Sequence, residues 1–273
     1  MGLRGFWFAP LLVLAACQTP VPLPGSVVEN IHGRKVESIL VENPHARAVV
    51  VFENGARGTI DKWEKVLAEV KKDATVFAYN RPGYANSEAT DSTRDGKTIV
   101  EELRQVLQHK GLKPPYILVG HSLGGLYMQL FAKTYPNEVQ GIVLVDALYP
   151  GVIKRPEDFP FTTRVAKRLF FSPTVQHEVD HIHDTGEAIW ALPGIDDKPM
   201  IRLFNVPKSA TAIGVDFGVL TNDPKVIAQV RQLYPKARKV IADSDHEMQT
   251  DNPALVVTAI RDVLDWSVAP PPK

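Results

Sequence analysis

The sequence predicts an α/β protein in which a mainly parallel central sheet is covered by helices on both faces and carries a helical cap insertion. Three observations predict it. Short apolar runs of strand length alternate with amphipathic helical stretches along most of the chain, the pattern of parallel strands joined by crossover helices. The buried run Tyr116-Ile117-Leu118-Val119 enters the turn Gly120-His121-Ser122-Leu123-Gly124 and continues into a helical pattern. A second apolar run, Gly141 to Val145, ends in Asp146, after which the alternation pauses until Met200.

The elements follow in order. Val27 to Ile31 and Lys35 to Val41 read as two strands joined by a turn at His32-Gly33, and Ala48 to Glu53 as the third. Asp61 to Lys71 reads as a helix, since Trp63, Val66, Leu67 and Val70 recur on one face. Thr75 to Tyr79 is a strand that ends in Asn80-Arg81-Pro82-Gly83-Tyr84. Thr98 to His109 is helical with Ile99, Leu103, Val106 and Leu107 inward. After the turn at Ser122, Leu126, Met128, Leu130 and Phe131 mark a mostly buried helix. The segment 147–197 is read as a helical insertion over the sheet edge. Its Phe159, Phe161, Phe170, Phe171 and Trp190 suggest an apolar pocket, and Ser172-Pro173 reads as the start of a helix running to Trp190. A strand between Met200 and Phe217, a helix from Asp223 to Leu233, a strand from Arg238 to Ala242 and a helix from Pro253 to Trp266 complete the pattern.

Composition narrows the function classes. The 273 residues and 44% hydrophobic content suit one large domain, expected over 27–268. Lysine plus arginine equal aspartate plus glutamate at 31 each, so no strong net field favours nucleic acid. At the N-terminus, Arg4 precedes an apolar stretch from Gly5 to Ala16, with small residues just before the chain's single cysteine, Cys17. Leu14-Ala15-Ala16-Cys17 resembles the lipobox of bacterial lipoproteins. The resemblance implies a signal peptide over 1–16, lipidation of Cys17, a tether over 17–26 rich in proline, and a membrane-anchored, periplasm-facing location in the cell envelope. The competing readings are an ordinary secretory signal with an incidental cysteine and a short uncleaved anchor. Residues 269–273 read as a tail.

The chemistry centres on Ser122. A serine in a tight strand-to-helix turn needs neighbours without bulk, which Gly120 and Gly124 supply, and the amide of Leu123 at the helix mouth can stabilise an oxyanion. A serine hydroxyl is a weak nucleophile and needs a base oriented by an acid. Among the eight histidines, His246 is best placed, between the last strand and the last helix. The order of strands, the Gly120 to Gly125 turn and the late His246 resemble the α/β-hydrolase fold family over nearly the whole chain beyond the tether. The resemblance implies a serine hydrolase that cleaves an ester-like bond of a small-molecule acyl substrate through an acyl-enzyme, without cofactor or metal. It further implies a second oxyanion donor, the amide of Ala56, in Glu53-Asn54-Gly55-Ala56, where the family often has His-Gly. Arg81-Pro82-Gly83-Tyr84 matches a loop frequent in the family and is expected to buttress the nucleophile turn. Two aspartates stand where the family places its acid. Asp146, at the end of a clean strand, is preferred to Asp216 in Ala212 to Asp216, and Asp223, followed by Pro224, reads as a helix cap. Because the nucleophile is a serine, the dehalogenase and epoxide-hydrolase chemistries of the fold are disfavoured.

One motif competes. His177-Glu178-Val179-Asp180-His181 matches His-Glu-X-X-His, in which two histidines one helical turn apart bind zinc and the glutamate acts as base. A third ligand is wanting, since Asp184 and Glu187 stand where the extended motif has glycine and histidine. The solvated face of a lid helix is the preferred reading, and a zinc hydrolase or a non-catalytic binding lipoprotein on the same fold are the alternatives.

Overall fold

The computed structural model describes residues 22–205 and 224–268. Cys17 with the signal-like segment, Asp216 with Asp223, and the tail 269–273 lie outside the described residues. Strands β1 (Val27–Ile31), β2 (Arg34–Val41), β3 (Val49–Glu53), β4 (Thr75–Tyr79), β5 (Tyr116–His121), β6 (Val139–Val145), β7 (Met200–Asn205) and β8 (Arg238–Ala242) form one eight-stranded sheet. Its order is β1-β2-β4-β3-β5-β6-β7-β8. The first hairpin is antiparallel and β2 joins β4 antiparallel, whereas β4, β3, β5, β6, β7 and β8 run parallel. The α/β architecture read from the alternation is therefore the observed one.

Strands β4 and β5 are buried along their whole length, which explains why they read as unbroken apolar runs rather than alternating ones. One face is covered by α2 (Gly96–His109) and α3 (Ser122–Thr134), the other by α1 (Glu64–Val70) and α9 (Pro253–Val268). α2 begins two residues before its periodic pattern because Asp95 caps it, accepting a hydrogen bond from the Thr98 amide at 2.9 Å. On the other face Val256, Ile260, Val263 and Leu264 of α9 bury fully or nearly so, each contributing roughly 1.5–3 kcal/mol of transfer free energy. The approach of α9 to β6 depends on Gly141, where an added Cβ would lie 2.3 Å from Val263 Cγ1.

Several expectations are revised. The helix expected from Asp61 opens as a 3-10 turn, Ile60–Trp63, before α1 begins at Glu64. The cap contains α4 (Phe161–Phe170), α5 (Pro173–Asp180) and α6 (Ile182–Trp190), so the single helix expected from Pro173 to Trp190 is two, broken at His181. α7 (Pro224–Leu233) and a short α8 (Met248–Asp251) complete the elements, the latter unforeseen because four residues are too few to show a helical period. The tether reading ends earlier than expected: Leu23 is buried in the core beside Ile39, so the chain is held to the domain from there. The phenylalanines of the insertion divide. Phe159 is buried, whereas Phe161 and Phe170 are exposed. Among the described residues no helix is long and apolar enough to cross a membrane.

Candidate active site

The site lies at the carboxyl ends of β3, β5, β6 and β7. β5 hands the chain to α3 in one residue, and Ser122 takes φ of +51°, a left-handed conformation uncommon for a residue with a side chain. The turn survives because its neighbours lack side chains. A Cβ on Gly124 would lie 2.4 Å from the Asn54 carbonyl oxygen and 2.5 Å from that of Glu53, and one on Gly120 would lie 2.6 Å from Gly125 Cα. The loop after β3 is thereby pressed against the mouth of α3, as the register Glu53 opposite Gly120 requires.

His246 stands over the serine. Its Nε2 is 3.0 Å from Ser122 Oγ and its Nδ1 is 2.7 Å from Asp146 Oδ2, an interaction spanning 100 residues of chain. The hydrogen bond to Asp146, reinforced by that carboxylate's charge, raises the His246 pKa above the ordinary histidine value despite partial burial. Asp146 also has positive φ, +40°, and its carboxylate is held from the next strand. The Asn205 Nδ2 donates to Oδ2 at 2.9 Å and the Asn205 amide to Oδ1 at 3.3 Å. The structure thus brings Ser122, His246 and Asp146 together in one hydrogen-bonded line.

Leu123 occupies the first turn of α3, whose N-terminus has no side-chain cap. Ala56 follows Gly55, and a Cβ on Gly55 would approach Ser122 Cβ to 3.1 Å, which places this loop beside the serine. Buried Arg81 organises that loop. It donates to the carbonyl oxygens of Asn54 at 2.6 Å and Gly55 at 3.0 Å, to Glu53 Oε1 at 2.6 Å, and to Glu178 Oε1 and Oε2 at 2.9 and 3.0 Å. Desolvation raises the Glu53 pKa against the lowering pull of Arg81, and the hydroxyls of Tyr79 and Tyr84 donate to Glu53 and Glu178. Arg81-Pro82-Gly83-Tyr84 therefore braces the loop after β3 against the cap.

The same contacts revise the reading of His177 to His181. Glu178 is fully buried, not on a solvated face, and both of its oxygens accept from Arg81, so it is not free to act as a metal-site base. His181 Nδ1 lies 2.7 Å from the His177 carbonyl oxygen, and among the described residues no group of three or more histidine, cysteine, aspartate and glutamate side chains converges as metal ligands would.

Two residues were given no role by sequence reasoning. His121 Nε2 donates to the His246 carbonyl oxygen at 2.9 Å, with the rings 4.7 Å apart, tying the His246 loop to the Ser122 turn. Burial, with the His246 charge adding to it, lowers the His121 pKa to about 4 and keeps it neutral. Its place beside Ser122 was a signal. Asn205 had none beyond its position at the end of β7. The His246 loop is further braced by α8, since the Ser244 hydroxyl and the Asp245 amide donate to Asp251 Oδ2 at 2.7 and 2.9 Å.

A family model described as the alpha/beta hydrolase fold matches residues 48–211. The chain is 30% identical over 128 residues to the uncharacterized protein YbdG of Bacillus subtilis (strain 168), a segment covering 46% of this chain and 38% of that protein. It is 27% identical over 137 residues to the monoacylglycerol lipase ABHD6 of Mus musculus, covering 49% and 39%. The aligned parts thus span about two fifths of these curated relatives. Among solved structures, wild-type Cfl2 from Burkholderia cenocepacia shares the fold with a TM-score of 0.68 at 14% identity, over 88% of this chain and 95% of that one.

Proposed function

Because the chain belongs to the α/β-hydrolase fold family, we propose that it is a serine hydrolase cleaving a carboxylic ester or related acyl bond through an acyl-enzyme. The observation that carries this reading is the line Ser122 Oγ, His246 Nε2, His246 Nδ1, Asp146 Oδ2, with separations of 3.0 and 2.7 Å. His246, in the Nδ1–H tautomer held by Asp146, takes the Ser122 hydroxyl proton at Nε2 as Oγ bonds to the carbonyl carbon. The carbonyl π pair moves to oxygen, where the amides of Leu123 and Ala56 receive the negative charge. Collapse breaks the bond to the leaving alkoxide, which takes the proton from His246, and Ser122 is left acylated. Water then repeats the sequence: it gives a proton to His246, attacks the acyl carbon, and releases the acid with the serine restored. Asp146 keeps the imidazole in its working tautomer and offsets its transient charge, and Asn205 and His121 keep the two partners in register.

A similarity to a protein named as a monoacylglycerol lipase agrees with an ester substrate. Lipidation of Cys17, and with it attachment to a cell-envelope membrane, is part of the same proposal and rests on the lipobox resemblance. A fluorophosphonate probe tests the chemistry: the expected result is stoichiometric labelling of Ser122, lost in Ser122→Ala and strongly slowed in His246→Ala. Turnover of p-nitrophenyl esters of graded chain length then ranks acyl preference. Absence of labelling in the folded protein would sink the reading.

A further inference from the structure

We propose that α4 of the cap is a docking element that lies on an anionic lipid surface, with Phe161, Val165 and Leu169 facing the acyl chains and Arg164 and Arg168 the headgroups. Of the ten residues of α4, only Thr163 is buried. Phe161, Leu169 and Phe170 are 72%, 70% and 72% exposed, the largest exposures among the big apolar side chains of the described residues. At about 100° per residue, Phe161, Val165 and Leu169 fall on one stripe about 80° wide, whereas Phe170 lies about 180° from Phe161, at the end of the helix. The three basic residues occupy the remaining arc, and α4 carries no acid. Lys167 pairs with Asp180 of α5, which leaves Arg164 and Arg168 as the exposed cations of the helix.

An apolar stripe beside a purely cationic arc is the design of helices that lie in a membrane interface. It suits an anionic bilayer better than a second copy of this chain, because paired α4 helices would bring like charges together. It also differs from the pattern of a helix packed on its own core, where the apolar side is the buried one. The element is close to the reaction centre. α4 leads directly into Phe171, whose ring lies under the Arg57 guanidinium at 5.7 Å, and Arg57 follows Ala56. Docking through α4 would therefore bring the oxyanion-side loop toward lipid. Only the consequence that the ester comes from the bilayer rests on the hydrolase reading; docking itself does not.

The test uses the full chain with Cys17→Ser, which removes the lone cysteine. A single cysteine placed by Leu169→Cys, or separately by Thr258→Cys on α9, carries an environment-sensitive NBD label. With vesicles of phosphatidylcholine and phosphatidylglycerol, the Leu169 label is expected to brighten several-fold and shift to the blue, while the Thr258 label stays aqueous. Adding Arg164→Glu and Arg168→Glu should weaken vesicle affinity at least about tenfold, and added salt should act in the same direction. Retained fluorophosphonate labelling of Ser122, or an unchanged far-UV spectrum if that chemistry fails, reports that each variant is folded. Vesicle binding with an aqueous Leu169 label would mean recruitment through residues 1–16 alone and would overturn the proposal. So would equal response to pure phosphatidylcholine. A blue-shifted signal without vesicles overturns it too, indicating a second copy if it grows with protein concentration and coverage by the same chain if it does not.

Discussion

Replacing His121 with glutamine isolates the buried imidazole that links the Ser122 turn to the His246 loop. The side chain is 3% exposed, its Nδ1 faces Gly55, and its Nε2–H reaches the His246 carbonyl oxygen at 2.9 Å. Burial first, and the neighbouring His246 second, lower its pKa from 6.5 to about 4. The unfolded chain therefore takes up this proton near the ordinary value and the folded protein only near the lower one. Between the two the unfolded state binds more protons, so stability is lost as pH falls through that window. At 1.36 kcal/mol per unit, the wild type should lose about 2–3 kcal/mol from this group on going from about pH 7 to about pH 4.5. Glutamine cannot titrate, and its amide can reach the same carbonyl. Urea unfolding of both proteins at the two pH values is the assay. The expected result is a difference within about 1 kcal/mol near neutrality, the size of one hydrogen bond, and a loss on acidification that is smaller in the variant by about 2 kcal/mol or more. Parallel losses in the two proteins would refute the assignment of His121 as a buried, neutral donor. His121→Leu, which removes the hydrogen bond, should also lower kcat toward a soluble ester, while the glutamine variant largely retains it.

Four further outcomes follow from the site. Since the Asp146 hydrogen bond raises the His246 pKa, the acidic limb of kcat/KM against pH should lie above the ordinary histidine value. Asp146→Asn should move that limb down and cost on the order of 10³–10⁴ in rate, and an unmoved limb would contradict the pairing. Glu178→Ala removes from a buried site one of the two carboxylates that pair with Arg81 and the acceptor of the Tyr84 hydroxyl, and should destabilise by about 3 kcal/mol, read as a lower urea midpoint. His177→Ala, at an exposed position, should leave both stability and activity near wild type, and chelators should not alter turnover. Gly124→Ala drives a Cβ to within 2.4 Å of a backbone oxygen that cannot step aside, and should lower ester turnover at least about a hundredfold through displacement of the turn. Near-wild-type turnover would show that the loop after β3 yields more readily than its contacts imply.

Some of this is legible in the sequence because the information is local. The tight turn at Ser122 is written in Gly120 and Gly124, and the parallel strands in apolar runs such as Thr75 to Tyr79, since turn sterics and burial on both faces act over a few residues. The placement of Asp146 at a strand end was equally plain. That it meets His246 was the preferred of two readings, and that Asn205 holds it was not legible, because that depends on β6 and β7 lying side by side. Glu178 is the sharpest case. On the linear chain it sits in a charged, helical stretch that resembles a zinc motif, and nothing in its neighbours marks it as buried. Its partner Arg81 is 97 residues away, and the two meet only when the cap closes over the loop after β4. The sequence alone thus determined the elements, the strained turn and the residue types able to do acyl chemistry. Only the tertiary structure decided which charges pair, because burying a carboxylate requires a cation that folding brings from a distant part of the chain.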